Sequence, residues 1–133
     1  MALNGSLKIQ GKEYNVQDLD YELSQPYDNN NKPSAIPRGG VINFTILSDN
    51  ADDLFFHEWM LSLANVNSGE FLLPVTSGIE HKWKSIKFDH AHCVRLSEYY
   101  SNSNALQMYM RISISASKID FGKGVVFRNK ELK

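Results

Sequence analysis

Short runs that alternate apolar and polar residues recur along most of the chain, and this period of two is typical of half-buried β-strands. The first two runs, residues 6–10 and 13–17, flank a glycine turn signal and predict a hairpin. The apolar parity changes after Val16, and one extra residue between positions 17 and 20 would restore it, so we expect a β-bulge there. Residues 41–47 are rich in β-branched side chains of both parities, which predicts a central strand.

The second half of the chain continues the strand pattern. Further strand-like runs lie at residues 70–75, 82–88, 91–99, 107–114 and 125–127. In the first of these runs Pro74 cannot donate a ladder hydrogen bond, which favours an edge or a strand end. The run 107–114 has one apolar side, and its other side carries the polar residues Gln107, Tyr109, Arg111, Ser113 and Ser115. We expect this second side of the strand to be a solvated sheet surface or the lining of a water-filled channel formed with other subunits.

A single helix is predicted in the middle of the chain. Asp49 or Asn50 can cap its start, and Asp52 and Asp53 would lie in its first turn, where acidic groups are favourable. Residues 54–64 follow, with apolar side chains at helical spacing. This apolar stripe consists of Phe55, Phe56, Trp59, Met60 and Leu63. One amphipathic helix in a β-rich chain predicts a helix that covers one face or end of a sheet.

A long segment, residues 24–40, separates the early hairpin from the central strand and holds three of the four prolines. Loops of this length without their own secondary structure are usually functional or disordered. The prolines of its second half hold the residues before them in extended conformations, so this half is stiff. We interpret the segment as an assembly arm that reaches a neighbouring molecule. Its candidate contact residues are Pro26, Pro33, Pro37, Arg38, Gly39 and Gly40.

Composition narrows the class of protein. The 133 residues suggest one domain, residues 1–133, and 42% hydrophobic with 22% charged residues is ordinary for a globular protein. A net charge of −1 without blocks of like charge gives no electrostatic basis for nucleic acid binding. One cysteine excludes an internal disulfide framework. The chain has no signal-peptide pattern and no apolar run long enough to span a bilayer, so we expect synthesis and folding in the cytoplasm.

One short motif suggests chemistry. His90 and His92 would project from one face of a strand, as metal ligands do in some small β-barrels, with Asp89 or Glu98 as a third ligand. The alternative is two exposed histidines beside a turn. Cys93 is either a nucleophile or a buried small hydrophobe, and the sequence favours the second. The sequence contains no catalytic constellation.

The order and spacing of several segments resemble a known family. These segments are the hairpin at residues 7–16, Ser24-Gln25-Pro26, the arm at residues 32–40, the helix at residues 54–61, and residues 110–116. Together they are similar to the tube protein of the type VI secretion system, the hemolysin-coregulated protein family, in the form found in Bacteroidetes. The resemblance covers nearly the whole chain.

The resemblance implies a mainly β fold, a two-sheet β-barrel with one amphipathic α-helix that is related to phage tail tubes. It implies no enzymatic activity and no cofactor. It also implies hexameric rings that stack into a tube, effector proteins in the lumen, and contacts with the contractile sheath, the baseplate and the spike, followed by secretion without a signal peptide. In this reading the lumen face carries Gln107, Arg111, Ser113 and Ser115. Two alternatives stay open: a small metal-binding β-barrel enzyme that uses His90 and His92, and a monomeric β-sandwich binding module.

Overall fold

The computed structural model describes residues 4–25, 28–32, 38–102 and 107–129, and within these ranges the chain forms seven β-strands and one α-helix. The strands are β1 (Gly5–Ile9), β2 (Lys12–Tyr21), β3 (Val41–Ser48), β4 (Asn67–Ser77), β5 (Glu80–Ser101), β6 (Gln107–Gly122) and β7 (Val125–Arg128). The helix, α1 (Phe55–Leu61), lies between β3 and β4. The fold is therefore mainly β with one short helix, as the alternating pattern predicted.

All strand pairings are antiparallel, and the strand order is β3-β2-β1-β4-β5-β6-β7. Strand β3 also pairs with β6 along its whole length, from Val41 opposite Ser115 to Ser48 opposite Met108. The pairings of β1 to β6 therefore form a closed circuit, in which each of these strands has a hydrogen-bonded neighbour on both sides. Strand β7 lies outside this circuit and pairs with β6.

Because neighbouring strands run in opposite directions, their connections collect at two ends of the sheet. One end carries the β1–β2 turn at Gln10 and Gly11 together with α1, and we call it the helix end. The other end carries the β4–β5 turn at Gly78 and the start of β3, and we call it the hairpin end. The two ends differ in the burial of their aromatic side chains.

The core fills the space enclosed by the strands. Its fully buried large side chains are Leu7, Ile42, Phe44, Ile46, Phe56, Trp59, Phe71, Ile86, Ile112, Ile114 and Ile119. Along most of each strand they occupy alternate positions, as the sequence predicted, and two come from one face of α1; within β6 the buried parity changes between Ala116 and Ile119. Trp59 also donates its indole N–H to the backbone oxygen of Asn65 at 3.1 Å, which satisfies its buried polar atom. Leu63 was assigned to the helical stripe, but it lies beyond the helix and is 96% exposed.

The predicted start of the helix was wrong by several residues. The helix begins at Phe55, and its N-cap residue is Leu54, which makes no side-chain capping hydrogen bond. Neither Asp49 nor Asn50 therefore caps the helix. Asn50 instead forms a turn before the helix, where its backbone oxygen accepts the N–H of Asp53 at 3.1 Å. The Asp53 carboxylate then accepts the N–H of Phe55 at 3.0 Å. The acidic residues thus shape the turn that precedes the helix.

Strand β5 corrects a second prediction, because residues 82–88 and 91–99 are one continuous strand. The buried parity changes between Phe88 and Ala91, and His90 between them has a φ of 49°. The facing strand β4 shifts register at the same place, between Asn67 and Gly69. The strand therefore continues while its buried side chains change from one parity to the other. In the sequence, such a change of parity looks like a loop between two strands.

Two further predictions about strands are confirmed. The register of β2 against β3 shifts between Val16 and Asp18, which is the expected bulge. Pro74 lies in the part of β4 beyond Leu72, where β4 has lost its β1 neighbour and pairs only with β5. A proline at this edge removes no ladder hydrogen bond that the sheet needs.

Candidate functional site

Four neighbouring strands present a polar surface on the outside of the closed circuit. Side chains alternate along each strand, so the positions between core residues point outward. Two rows of paired residues cross β5, β6, β3 and β2 in that order: Ser97, Arg111, Thr45 and Asp18 in one row, and Arg95, Ser113, Asn43 and Asp20 in the next. We call these eight residues the polar face. It contains two arginines and two aspartates, so its formal charges balance.

Hydrogen bonds link one row of the polar face across three strands. The Ser113 hydroxyl donates to Asn43 Oδ1 at 2.5 Å, and the Asn43 amide donates to Asp20 Oδ1 at 2.9 Å. Ser113 is only 9% exposed, so its hydroxyl is nearly enclosed by these neighbours. The chain of donors and acceptors holds the side chains of β6, β3 and β2 in one arrangement.

Arg111 connects the two rows. Its guanidinium donates to Thr45 Oγ1 at 3.2 Å and lies 3.7 Å from an Asp18 oxygen and 3.9 Å from an Asp20 oxygen. These groups are more than half exposed, and exposed ion pairs of this kind contribute about 0–1 kcal/mol. Their main effect is to hold the guanidinium beside the two aspartates, so that its charge is paired.

The polar face is slightly concave beside β5 and β6. A hollow of about 280 Å³ is lined by Asn43, Arg95, Ser97, Arg111 and Ser113. Small-molecule sites are usually lined by apolar and aromatic side chains, and this lining has none. The hollow therefore fits a hydrated surface better than a ligand pocket.

The four predicted lumen residues all lie on the outward side of β6. Arg111 and Ser113 belong to the polar face, and Ser115 lies in the next row, between His92 and Val41. Gln107 lies at the start of β6 and accepts a hydrogen bond from the hydroxyl of Tyr109 at 2.8 Å. Sequence reasoning found this side of β6 but missed its partners on β2, β3 and β5. Only the strand order reveals those partners.

The assembly arm is closed at its base by a pair of backbone hydrogen bonds. The Ser24 N–H donates to the Arg38 oxygen at 2.9 Å, and the Arg38 N–H donates to the Ser24 oxygen at 2.6 Å. Near the tip, the Asp28 carboxylate accepts the backbone N–H groups of Asn30 and Lys32. Three predicted contact residues lie outside the described residues: Pro26, Pro33 and Pro37.

Gly39 and Gly40 belong to the foot of the arm and touch the sheet directly. The Gly40 oxygen accepts the N–H of Ala116 at 2.6 Å, and Gly40 has a φ of 95°, which favours glycine. A Cβ at Gly40 would lie 2.6 Å from the Ala116 oxygen, and one at Gly39 would lie 2.6 Å from a Leu23 methyl carbon. The two glycines are needed for close approach of the arm to β6 and to the residues that follow β2.

The histidine motif does not form a metal site with the expected third ligands. His90 Nδ1 lies 3.3 Å from Asp89, whose carboxylate also accepts the Ser68 hydroxyl. These contacts with Ser68 and His90 hold the pKa of Asp89 below its ordinary value. Glu98 instead contacts His57 of α1 at 3.0 Å. Within residues 4–25, 28–32, 38–102 and 107–129, no three or more His, Cys, Asp and Glu side chains are grouped to hold a metal ion.

Cys93 is a buried small residue, as expected, and its thiol lies 3.7 Å from the Arg95 oxygen. Burial raises the pKa of the Cys93 thiol. A thiol with a raised pKa is a poor nucleophile, because the thiolate is the reactive form. The structure gives this residue a packing role.

A three-residue cluster at the helix end was missed in the sequence, because its members lie far apart in the chain. The Tyr14 hydroxyl donates to Asp53 Oδ2 at 2.8 Å, and Lys12 Nζ lies 3.6 Å from Asp53 Oδ1. Partial burial alone would raise the pKa of Asp53, but the Tyr14 and Phe55 hydrogen bonds and the Lys12 charge lower it overall. Burial and the Asp53 carboxylate raise the pKa of Tyr14. The cluster fastens the start of α1 to the β1–β2 hairpin.

A second outward surface carries alternating charges. Glu13, Lys8, Glu70, Lys87 and Asp120 are paired neighbours across β2, β1, β4, β5 and β6. We call this row the charge ladder. Opposite charges on directly paired residues stabilise a sheet by about 0.2–1 kcal/mol per pair, so the ladder favours this register over a shifted one.

Within the described parts of the chain, no helix has the length and apolar character needed to cross a membrane.

The architecture defines a class first: a mainly antiparallel β protein with one short helix and a broad polar outer surface. Solved structures share it. Hcp1 from Flavobacterium johnsoniae has a TM-score of 0.78 and 27% identity, covering 96% of this chain and 100% of that chain. Hcp1 from E. coli EAEC 042 gives 0.70 and 14%, covering 96% and 98%, and the secreted protein Hcp3 from Pseudomonas aeruginosa gives 0.62 and 12%, covering 99% and 100%. A sequence comparison with proteins of curated function gave no match.

The family follows from the sequence match. The profile of the hemolysin coregulated protein Hcp (TssD) family matches residues 1–130 of the 133. The chain therefore belongs to the Hcp (TssD) family, the secreted tube proteins of type VI secretion systems, which are structural proteins and not enzymes. The resemblance found in the sequence is confirmed, as is the expectation that the chain is not an enzyme.

Proposed function

We propose that this protein is the subunit of a type VI secretion inner tube in which six copies form a ring and the rings stack. In this proposal effector proteins travel in the lumen, and contraction of a surrounding sheath expels the tube with its cargo. The subunit is a single tail-tube-like domain, residues 1–133, in which the closed circuit of strand pairings forms a two-sheet β-barrel. Before secretion the subunit is in the cytoplasm, where it contacts the sheath, the baseplate and the spike, and it is secreted without a signal peptide.

The polar face is the observation that carries this proposal. A channel that passes different proteins must stay hydrated and must not retain them on apolar side chains. The eight residues of the polar face are all polar, and most of their hydrogen-bonding groups and charges are paired with one another. A surface whose polar groups are already satisfied by neighbours offers few free groups to a passing protein. We therefore assign the polar face, with Gln107 and Ser115 beside it, to the lumen.

The arm is the proposed contact with a neighbouring subunit. The bonds between Ser24 and Arg38 close its base, and the bond between Gly40 and Ala116 fixes that base to β6, so its position relative to the strands is well defined. A contact element whose base is rigid loses less conformational freedom when it binds. The proposed contact residues remain Pro26, Pro33, Pro37, Arg38, Gly39 and Gly40.

The experiment measures assembly first and the lumen second. Light scattering and negative-stain imaging of the purified protein should give hexameric rings with an open centre. Ser97→Cys then places a thiol on the polar face, and Lys87→Cys places one on the charge ladder as a matched control. A thiol reagent wider than the channel should label Lys87→Cys in assembled tubes but leave Ser97→Cys unlabelled, whereas both should react after the tubes are dissociated.

Two results would contradict the proposal at different levels. Equal labelling of both variants in assembled tubes would remove the polar face from the lumen and leave the tube assembly standing. A chain that stays monomeric at high concentration would overturn the tube proposal itself and favour the monomeric binding module.

A further inference from the structure

The hairpin end of the sheet continues into a two-stranded ribbon. Strand β1 pairs with β4 only as far as Leu72, and β5 pairs with β6 only from Lys87 onward. Residues 73–84 therefore pair only with each other, from Leu73 opposite Lys84 to Ser77 opposite Glu80. A two-stranded ribbon without a third strand or a packed face is marginally stable in water. A partner that covers it would stabilise it.

This ribbon exposes large apolar side chains beside positive charges. Ile79 at its tip is 98% exposed, and Trp83 is 53% exposed. Lys82 and Lys84 flank Trp83, and Lys82 Nζ lies 4.0 Å from a carboxylate oxygen of Glu80, so two lysines and one glutamate give the segment a net charge of +1. Tryptophan is enriched among the residues that dominate protein interfaces. We call residues 73–84 the basic hairpin.

The opposite end of the molecule exposes apolar side chains beside negative charges. Residues 49–66 contain Asp49, Asp52, Asp53 and Glu58 and no lysine or arginine. Their exposed apolar side chains are Leu54, Leu61, Leu63 and Val66, of which Leu61 is 84% and Leu63 96% exposed. We call this segment the acidic corner. Lys12 neutralises Asp53 locally, which leaves the exposed Asp49, Asp52 and Glu58 as the net charge of the surface.

The basic hairpin and the acidic corner of one molecule lie too far apart to meet. Lys84 lies in β5 where the ribbon joins the sheet, and Glu98, 14 residues further along the same strand, contacts His57 of α1. At about 3.3 Å per residue, these two positions are about 45 Å apart along the strand. Two complementary surfaces at opposite ends of one chain fit a heterologous contact, in which each copy uses both surfaces.

We propose that the basic hairpin of one copy docks on the acidic corner of the next copy. Ile79 and Trp83 pack against Leu61 and Leu63, and Lys82 and Lys84 face the acidic residues around them. The apolar centre supplies the affinity, and the opposite charges at its rim fix the orientation and exclude a like-with-like contact. This inference rests on the proposed assembly and names the two surfaces that join the copies.

Charge reversal tests the contact. One variant carries Lys82→Glu and Lys84→Glu, a second carries Asp52→Lys and Glu58→Lys, and a third carries all four changes. Each double variant should raise the concentration needed for assembly by at least about tenfold, because like charges then face each other across the contact. The fourfold variant should assemble within about threefold of the wild type, because its charges are again opposite. Sedimentation velocity over a concentration series measures these shifts.

The matched control is Lys123→Glu, which reverses one exposed charge in the β6–β7 turn, outside both surfaces. It should assemble like the wild type. Circular dichroism checks that each variant is folded. A further variant, Ile79→Ser, changes no charge at a fully exposed position and should also weaken assembly, because it removes an apolar contact.

The outcomes separate this inference from the proposed function. Wild-type rings or tubes with unchanged assembly of both double variants and of Ile79→Ser would overturn the docking of these two surfaces and leave the tube function standing. Double variants that fail while the fourfold variant fails equally would also overturn it, since restored complementarity should restore the contact. A wild-type chain that never associates would overturn both proposals.

Discussion

At the helix end, α1 closes the sheet and buries Phe56 and Trp59 against the core; at the hairpin end, β4 and β5 run on into solvent and leave Ile79 and Trp83 exposed. Both ends carry aromatic and aliphatic side chains, but the helix end buries its aromatic rings and exposes leucines such as Leu61, whereas the hairpin end exposes its tryptophan as well. Covering an end of a sheet stabilises the single chain. Extending an end provides apolar area that only another molecule can bury.

The polar contacts differ between the ends in the same way. The helix end is fastened by side chains from distant positions, through the contacts Tyr14–Asp53 and His57–Glu98. The hairpin end is fastened by backbone hydrogen bonds at the foot of the arm, such as that of Gly40 to Ala116. A side-chain contact can be removed by one substitution of that side chain. A backbone hydrogen bond is instead weakened by a substitution that changes the backbone conformation, such as replacement of a glycine. The comparison can therefore be broken at each end by a different type of change.

The largest effect on stability is expected at Trp59, and Trp83 provides its control. Trp59→Ala at the helix end should lower the free energy of unfolding by about 3–5 kcal/mol, because a fully buried indole leaves a cavity. Trp83→Ala at the hairpin end is its control and should change it by less than about 1 kcal/mol, because half of the side chain is already in water. Urea unfolding followed by far-UV circular dichroism, with each variant in the same oligomeric state, measures both. Equal losses would mean that the hairpin end is packed as the helix end is.

Gly40→Ala should give the next largest effect. The new Cβ would lie 2.6 Å from the Ala116 oxygen, and the backbone has a φ of 95°, so we expect a loss of about 2–3 kcal/mol in the free energy of unfolding. Gly78→Ala in the β4–β5 turn is the matched control, because its φ of 65° is also positive but no atom lies within 4 Å of the new Cβ. That variant should lose only about 1 kcal/mol, from backbone strain alone. A Gly40→Ala protein as stable as Gly78→Ala would contradict the close contact between the arm and β6.

The regular elements were predictable because their information is local. The alternation of β6, the bulge after Val16 and the edge position of Pro74 each follow from residues adjacent in the chain. Strand β5 was divided in two because His90, with its φ of 49°, changes the buried parity while the pairing with β6 continues. A parity change alone does not distinguish a bent strand from a loop.

The candidate site was only partly predictable, for a different reason. The outward side of β6, including Arg111 and Ser113, followed from alternation. Their partners Thr45 and Asn43 lie 66 and 70 positions away, and only the β3–β6 pairing brings them together. The charge ladder was missed for the same reason. A sequence therefore gives the face on which a residue lies, while strand order decides which residues meet on that face.

The smallest of the three effects concerns the cluster at the helix end. Tyr14→Phe removes the hydroxyl that donates to Asp53, and we expect it to lower the free energy of unfolding by about 1 kcal/mol at neutral pH. Tyr109→Phe is the control, because its hydroxyl bonds the exposed Gln107 and its loss should cost less than about 0.5 kcal/mol. Thermal or urea unfolding of both variants beside the wild type measures the difference.

The pH dependence of this effect has a definite sign. The pKa of Asp53 is lowered in the folded chain, so its contribution is fully present above its unfolded pKa of about 4 and is lost as the pH falls through the lower folded value. Tyr14→Phe removes one cause of the lowering, so part of this contribution disappears. The stability difference between wild type and Tyr14→Phe should therefore be constant near neutral pH and shrink below about pH 4. A difference that grows on acidification would mean that Tyr14 does not favour the ionised form of Asp53, and the fastening of the helix end would then rest on the packing of α1 alone.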